Sequence, residues 1–121
     1  MAFLYHLDKD GGLAQFWDVS ERPLLVGRGE FAGACVADEA LSRAHFLILR
    51  EGNEFFVVDL ESQNGTWMNG APVSGRRLHE GDLIQAGEST FQFSRERPTV
   101  QPQLMPFSLP TSTEVARPLN A

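Results

Sequence analysis

Apolar residues occur along this chain in short bursts separated by turn-forming residues. Phe91 and Phe93 alternate with Thr90 and Gln92, the period of a strand with one buried face. Phe3 to Leu7 is a first apolar run, closed by Asp8-Lys9-Asp10-Gly11-Gly12. Leu13 to Val19 is strand-like, with large side chains at 13, 16, 17 and 19. Pro23 precedes Leu24-Leu25-Val26-Gly27, and the runs Phe46 to Leu49 and Phe55 to Leu60 are split by Glu51-Gly52-Asn53. Thr66-Trp67-Met68 and Ala71-Pro72-Val73 flank Asn69-Gly70 as a tight hairpin; Asp82 to Ala86 and Thr90 to Phe93 flank Gly87-Glu88-Ser89 as another. Almost nothing reads as helix. Short strands with turn signals every 8–12 residues or so predict an all-β sandwich or barrel.

The pattern stops near Glu96. Pro98, Pro102, Pro106 and Pro110 follow at four-residue spacing, with Pro118 beyond them. Proline at that density prevents a helix and does not suit a central strand. Residues 1–96 are therefore expected to form the domain, and 97–121 an extended tail or linker. That tail still carries Leu104, Met105, Phe107 and Leu109, and three threonines, Thr99, Thr111 and Thr113.

Composition narrows the function. The 121 residues are enough for one real core, and 42% are hydrophobic. A net charge of −6 argues against nucleic acid, which needs a basic field; the dense basic sites are only Arg76-Arg77 and Arg95/Arg97. Neither a signal peptide nor an apolar stretch near 18 residues is visible, so no membrane partner is expected. The lone cysteine, Cys35, lies in the apolar run Ala34-Cys35-Val36-Ala37 and reads as a buried small hydrophobe of a reducing, cytoplasmic protein. His6, His45 and His79 have no metal spacing, and Asp8/Asp10 lack the remaining ligands of a calcium loop, so no metal and no cofactor are expected. Gly-x-x-x-x-Gly-Lys is absent.

The most informative stretch is Ser62-Gln63-Asn64-Gly65-Thr66-Trp67-Met68-Asn69-Gly70, with two Asn-Gly pairs five residues apart. Upstream stand Gly27-Arg28 and Ser42-Arg43-Ala44-His45; downstream stand Leu78, Gly81-Asp82-Leu83-Ile84 and Gly87. From Leu24 to Phe93 this ordered set resembles the forkhead-associated (FHA) domain family. The resemblance implies a β-sandwich of two antiparallel-rich sheets with recognition loops at one end. It also implies a module that binds phosphothreonine-containing protein segments in signalling or assembly.

Site roles follow from the resemblance. Arg28 matches the Gly-Arg arginine that contacts phosphate, and a guanidinium suits bidentate phosphate binding. Ser42 matches the serine whose hydroxyl bonds phosphate; Arg43 adds a backbone N–H and charge. Where family members often have Thr or Ser, this chain has Gln63, whose amide N–H substitutes as a phosphate donor. Asn64 matches the asparagine that holds the ligand backbone through its amide. Gly27, His45, Gly65, Asn69 and Gly70 are assigned to structural support, Asn69-Gly70 as a hairpin tip.

Two rivals remain. One is the same fold as a phospho-independent scaffold or oligomerisation domain. The other is a small hydrolase, for which Ser42 and His45 lack an orienting acid and a Gly-x-Ser-x-Gly elbow. A phosphorylated tail threonine could reach the Arg28/Ser42/Asn64 site, so self-association through the tail is a further possible partner.

Overall fold

The computed structural model describes residues 1–98, which contain eleven strands and no helix. They are β1 (Phe3–Leu7), β2 (Leu13–Asp18), β3 (Leu24–Gly27), β4 (Ala34–Cys35), β5 (Phe46–Glu51), β6 (Glu54–Asp59), β7 (Thr66–Met68), β8 (Ala71–Val73), β9 (Gly75–Arg77), β10 (Leu83–Ala86) and β11 (Ser89–Ser94). They form a six-stranded sheet, β2-β1-β11-β10-β7-β8, and a five-stranded sheet, β4-β3-β5-β6-β9. All pairings are antiparallel except β3 with β4.

Alternate residues of each strand meet between the sheets. Phe46 and Ile48 of β5 and Phe55 and Val57 of β6 point inward from one sheet. Ile84 and Ala86 of β10 and Phe91 and Phe93 of β11 point inward from the other. The rings of Phe46 and Phe91 meet edge-on at 5.4 Å, and Phe55 and Phe93 lie at the same separation. Each fully buried side chain of this kind stabilises the fold by about 1.5–3 kcal/mol. The contacts join strands distant in sequence, which locks the loops between them into place.

Two strands had no signal in the apolar pattern. The first is β9, where Arg76 and Arg77 form an exposed edge; charged residues blunt such an edge against further pairing. The second is β4, which also corrects the reading of Cys35. Ala34 and Val36 turn inward, so the residue between them faces out: Cys35 is exposed, its Sγ 3.7 Å from the Arg28 carbonyl. Alternation outweighed local hydrophobicity here.

The last described residues pack on β1. The Tyr5 hydroxyl donates to the Glu96 carbonyl (2.5 Å), and Arg97 lies over the Phe3 ring. The tail expected from 97 onward, with Thr99, Thr111 and Thr113, lies outside the described residues from 99 on.

Candidate functional site

At one end of the sandwich the loops β3–β4, β4–β5 and β6–β7 are tied together by hydrogen bonds. Arg28 N–H donates to the Ser42 carbonyl (3.1 Å), and Gly29 N–H to the Arg43 carbonyl (3.2 Å). This close approach explains Gly27: a Cβ there would overlap the Arg43 carbonyl and crowd that of Ser42. The β10–β11 hairpin closes the same end. Asp38 accepts from Ala40 N–H (2.9 Å), Glu88 N–H (2.8 Å) and the Ser89 hydroxyl (2.7 Å).

Each polar side chain of the site is half used by the protein. Arg28 is exposed and donates Nε–H to the Leu41 carbonyl at 2.7 Å, which fixes the guanidinium; its Nη atoms make no hydrogen bond among the described residues. The Ser42 hydroxyl oxygen accepts from Gln63 N–H at 3.0 Å, leaving its proton to donate outward. Asn64 donates Nδ2–H to the Ala40 carbonyl at 2.8 Å, so its Oδ1 remains an acceptor. The Arg43 backbone N–H makes no hydrogen bond among the described residues. A cation, a hydroxyl, a backbone N–H and an amide therefore converge beside one another. That set can hold a phosphate and an extended peptide backbone.

His45 organises the site from beneath. Its side chain is fully buried. Nδ1 accepts from Ser42 N–H (3.0 Å), which places the ring proton on Nε2, where it donates to the Gly65 carbonyl (2.8 Å). One imidazole thus joins the serine turn to the Asn64-Gly65 turn. Both of its nitrogens are occupied by the backbone.

The sequence reading missed Asp59, the anchor of the β6–β7 loop. Its carboxylate accepts from the Ser62 hydroxyl (2.5 Å), the Thr66 hydroxyl (2.7 Å) and Ser62 N–H (3.2 Å). The Ser62 oxygen in turn accepts from Gly65 N–H (3.1 Å). These bonds hold Glu61 at a φ of 55°, a conformation uncommon for a residue with a Cβ. Burial by itself would raise the Asp59 carboxyl, but the Ser62 and Thr66 hydroxyls and the Ser62 N–H outweigh it and hold the pKa below the ordinary value. Asp38 is shifted down in the same way, with Ser89, Ala40 and Glu88 as the donors that outweigh its burial. Asp-x-x-Ser at Asp59 is a local spacing that would have pointed to it, whereas the Glu88 and Ser89 partners of Asp38 lie far away in the chain.

Of the residues expected at the site, Gly27, Arg28, Ser42, Arg43, His45, Gln63, Asn64 and Gly65 come together. The Gln63 side chain is exposed, and it is the backbone N–H of this residue that reaches Ser42. Asn69 and Gly70 do not join them. They cap the far end of β7, where Asn69 bonds Asp82 (3.0 Å) and Leu83 N–H (2.9 Å). Strand β7 separates them from Gly65, so they support the hairpin and not the site.

A family model described as the FHA domain matches residues 24–87. This chain belongs to the FHA domain family. The FHA domain-containing protein FhaA of Mycobacterium tuberculosis is 36% identical over 83 residues, 69% of this chain and 16% of FhaA. The glycogen accumulation regulator GarA of Mycolicibacterium smegmatis is 39% identical over 68 residues, 56% of this chain and 43% of GarA. This FHA domain thus spans less than half the length of either relative. Among solved structures, the FhaA FHA domain complexed with the intracellular domain of another protein matches with a TM-score of 0.70 at 32% identity, covering 77% of this chain and 99% of that one. A second, described as an analysis of phosphothreonine-dependent FHA domain interactions, has a TM-score of 0.71 at 31% identity, covering 80% of this chain and 98% of that one.

Proposed function

We propose that this FHA domain binds phosphothreonine-containing protein segments through the loops gathered around His45, as a cytoplasmic recognition module and not an enzyme. The observation that carries the reading is the unspent bonding capacity of Arg28, Ser42, Arg43 and Asn64, all at one end of the sandwich. A phosphothreonine brings close to two negative charges and three strong acceptor oxygens. Arg28 supplies the forked cation, Ser42 and the Arg43 N–H supply donors, and the Gln63 amide lies beside them. Asn64 Oδ1 takes a backbone N–H of the ligand. The similar solved structure described by phosphothreonine-dependent FHA domain interactions supports the same reading.

No catalytic role is assigned to Ser42 and His45. The His45 nitrogen nearest Ser42 accepts the Ser42 backbone N–H, so it is not available as a base for the hydroxyl. Threonine is preferred over serine through its γ-methyl; one buried methyl is worth about 0.8 kcal/mol, with the restricted β-branched rotamer adding to it.

The test is calorimetric titration with a phosphothreonine peptide, its phosphoserine counterpart and its unphosphorylated twin. Binding of the first, weaker binding of the second and none of the third is expected. Equal binding of phosphorylated and unphosphorylated forms would favour the scaffold reading, for which the replacement of a hydroxyl residue by Gln63 is the supporting observation.

A further inference from the structure

Phe31 is 90% exposed, the most exposed large hydrophobic among the described residues. An isolated exposed ring is ordinary on a protein surface; the placement of this one is not. It occupies a corner of the turn Gly29–Ala32, closed by Ala32 N–H donating to the Gly29 carbonyl at 3.1 Å. Ala32 itself is buried, and the base of the turn is stapled to the Ser42 and Arg43 carbonyls. A Cβ on Gly29 would stand 3.0 Å from the Arg43 carbonyl oxygen, so the turn is seated without slack. The ring is thus presented by a fixed element and not by a loose loop.

Beside it lies a concavity of about 550 Å³, with Leu25, Arg28, Phe31, Ala32, Arg43 and Ala44 among its lining residues. Its lining combines apolar residues with two arginines, and Glu30 is its one acid. The hollow is continuous with the phosphate site, because Arg28 and Arg43 border both. Neither Asn64 nor Ala40 lines it.

We infer that this concavity is a specificity pocket in which Phe31 receives an aliphatic or aromatic side chain on one flank of the phosphothreonine. The inference rests on the phosphothreonine reading of the site, and it adds a sequence preference to it. An extended ligand anchored at Arg28 and Ser42 sends alternate side chains toward the surface. One of them meets the Phe31 ring and the Leu25 and Ala44 surfaces, where apolar contact area is gained and an anionic or amide side chain gains less.

The experiment is a positional scan on the folded domain. A phosphothreonine peptide with alanine flanks is compared with peptides carrying a single Leu, Phe, Asp or Lys at each position from four before to four after the phosphothreonine. Leu or Phe is expected to bind roughly 5- to 10-fold more tightly than Ala at positions confined to one flank, the gain from half-burying one such side chain. In Phe31→Ala that ratio falls to about one, and in Phe31→Leu it is partly retained. A preference for Leu or Phe that persists in Phe31→Ala overturns the inference, as does a gain for Asp in place of Leu. A phosphorylation-dependent alanine-flanked peptide with no apolar preference overturns the pocket alone. Failure of every phosphorylated peptide overturns the pocket together with the phosphothreonine reading.

Discussion

The chain contains Asn-Gly twice within one short stretch, and the two copies do different work. At Asn69-Gly70 both residues have positive φ, 50° and 87°, the signature of a type I′ hairpin turn joining β7 and β8. The Asn69 side chain braces that turn against Asp82 and Leu83. At Asn64-Gly65 only the glycine has positive φ, 85°. There the asparagine reaches across the loops to the Ala40 carbonyl, and the glycine carbonyl receives the buried His45 ring. Identical dipeptides thus make a local turn in one place and a long-range tether in the other. The difference comes from what the fold brings near them. The first pair has β10 alongside; the second faces the loop that carries Ser42.

Removing the tether should have the largest effect. His45→Ala leaves Ser42 N–H and the Gly65 carbonyl without partners and opens a cavity, so a stability loss of about 2–4 kcal/mol is expected in urea unfolding. An unchanged midpoint would mean that the ring does not join the two loops. Next, Arg28→Ala should cost roughly 1.5–3 kcal/mol in phosphopeptide binding, a 10- to 100-fold or larger loss in calorimetry, with the unfolding transition unmoved. Unaltered affinity in the folded variant would remove Arg28 from the phosphate site.

The comparison itself is tested by the two asparagines. Asn69→Ala places a Cβ-bearing residue without a local side-chain bond at φ 50°, so about 1–2 kcal/mol of stability is lost while phosphopeptide affinity holds. Asn64→Ala should reverse the pattern: the unfolding midpoint shifts little, and binding weakens because ligand backbone is no longer held. If both variants lowered stability alike, the two pairs would be turns of one kind.

Acid should separate the regions more gently. Asp59 and Asp38 both titrate below their unfolded value of about 3.9, so the stability they contribute is complete above that pH. It is lost as pH falls through their lowered folded values. Asp59→Asn is expected to flatten this acid limb in thermal melts recorded from pH 5 down to pH 2, and an unchanged slope would show that the carboxylate is not what the loop depends on. At higher pH a separate effect belongs to the ligand. Because the phosphate's second pKa is about 6, binding should weaken between about pH 7.5 and 5.5 with no loss of fold.

Most of the strands were legible in the chain as short apolar runs between turn signals, but their order in the two sheets was not. Phe91-Phe93 carried the alternation of a half-buried strand directly, whereas Phe46 to Leu49 and Phe55 to Val58 are continuous apolar runs whose inward residues only the packing selected. Turn chemistry was legible where it is local, at Asn69-Gly70 and Gly87. Two of the four edge strands were not, since β9 is charged and β4 has only two residues. The set Arg28, Ser42 and Asn64 was readable through its resemblance to a family, and no periodicity would have joined residues so far apart in the chain.

By itself the sequence determined an all-β domain, the places of most of its strands and the family that its motifs resemble. Only the tertiary structure decided how the side chains of the site are held and which of their bonds remain open. Arg28 Nε is spent on Leu41, Ser42 accepts from Gln63, Asn64 donates to Ala40, and His45 spans the loops beneath them. Those partners lie 13 to 24 residues away in all but the Ser42–His45 bond. Local propensity reads neighbours a few positions apart, whereas these contacts form only when the two sheets pack and carry their loops to the same end. Cys35 makes the same point in reverse: its surroundings in sequence are apolar, yet the pairing of β4 with β3 turns it to solvent.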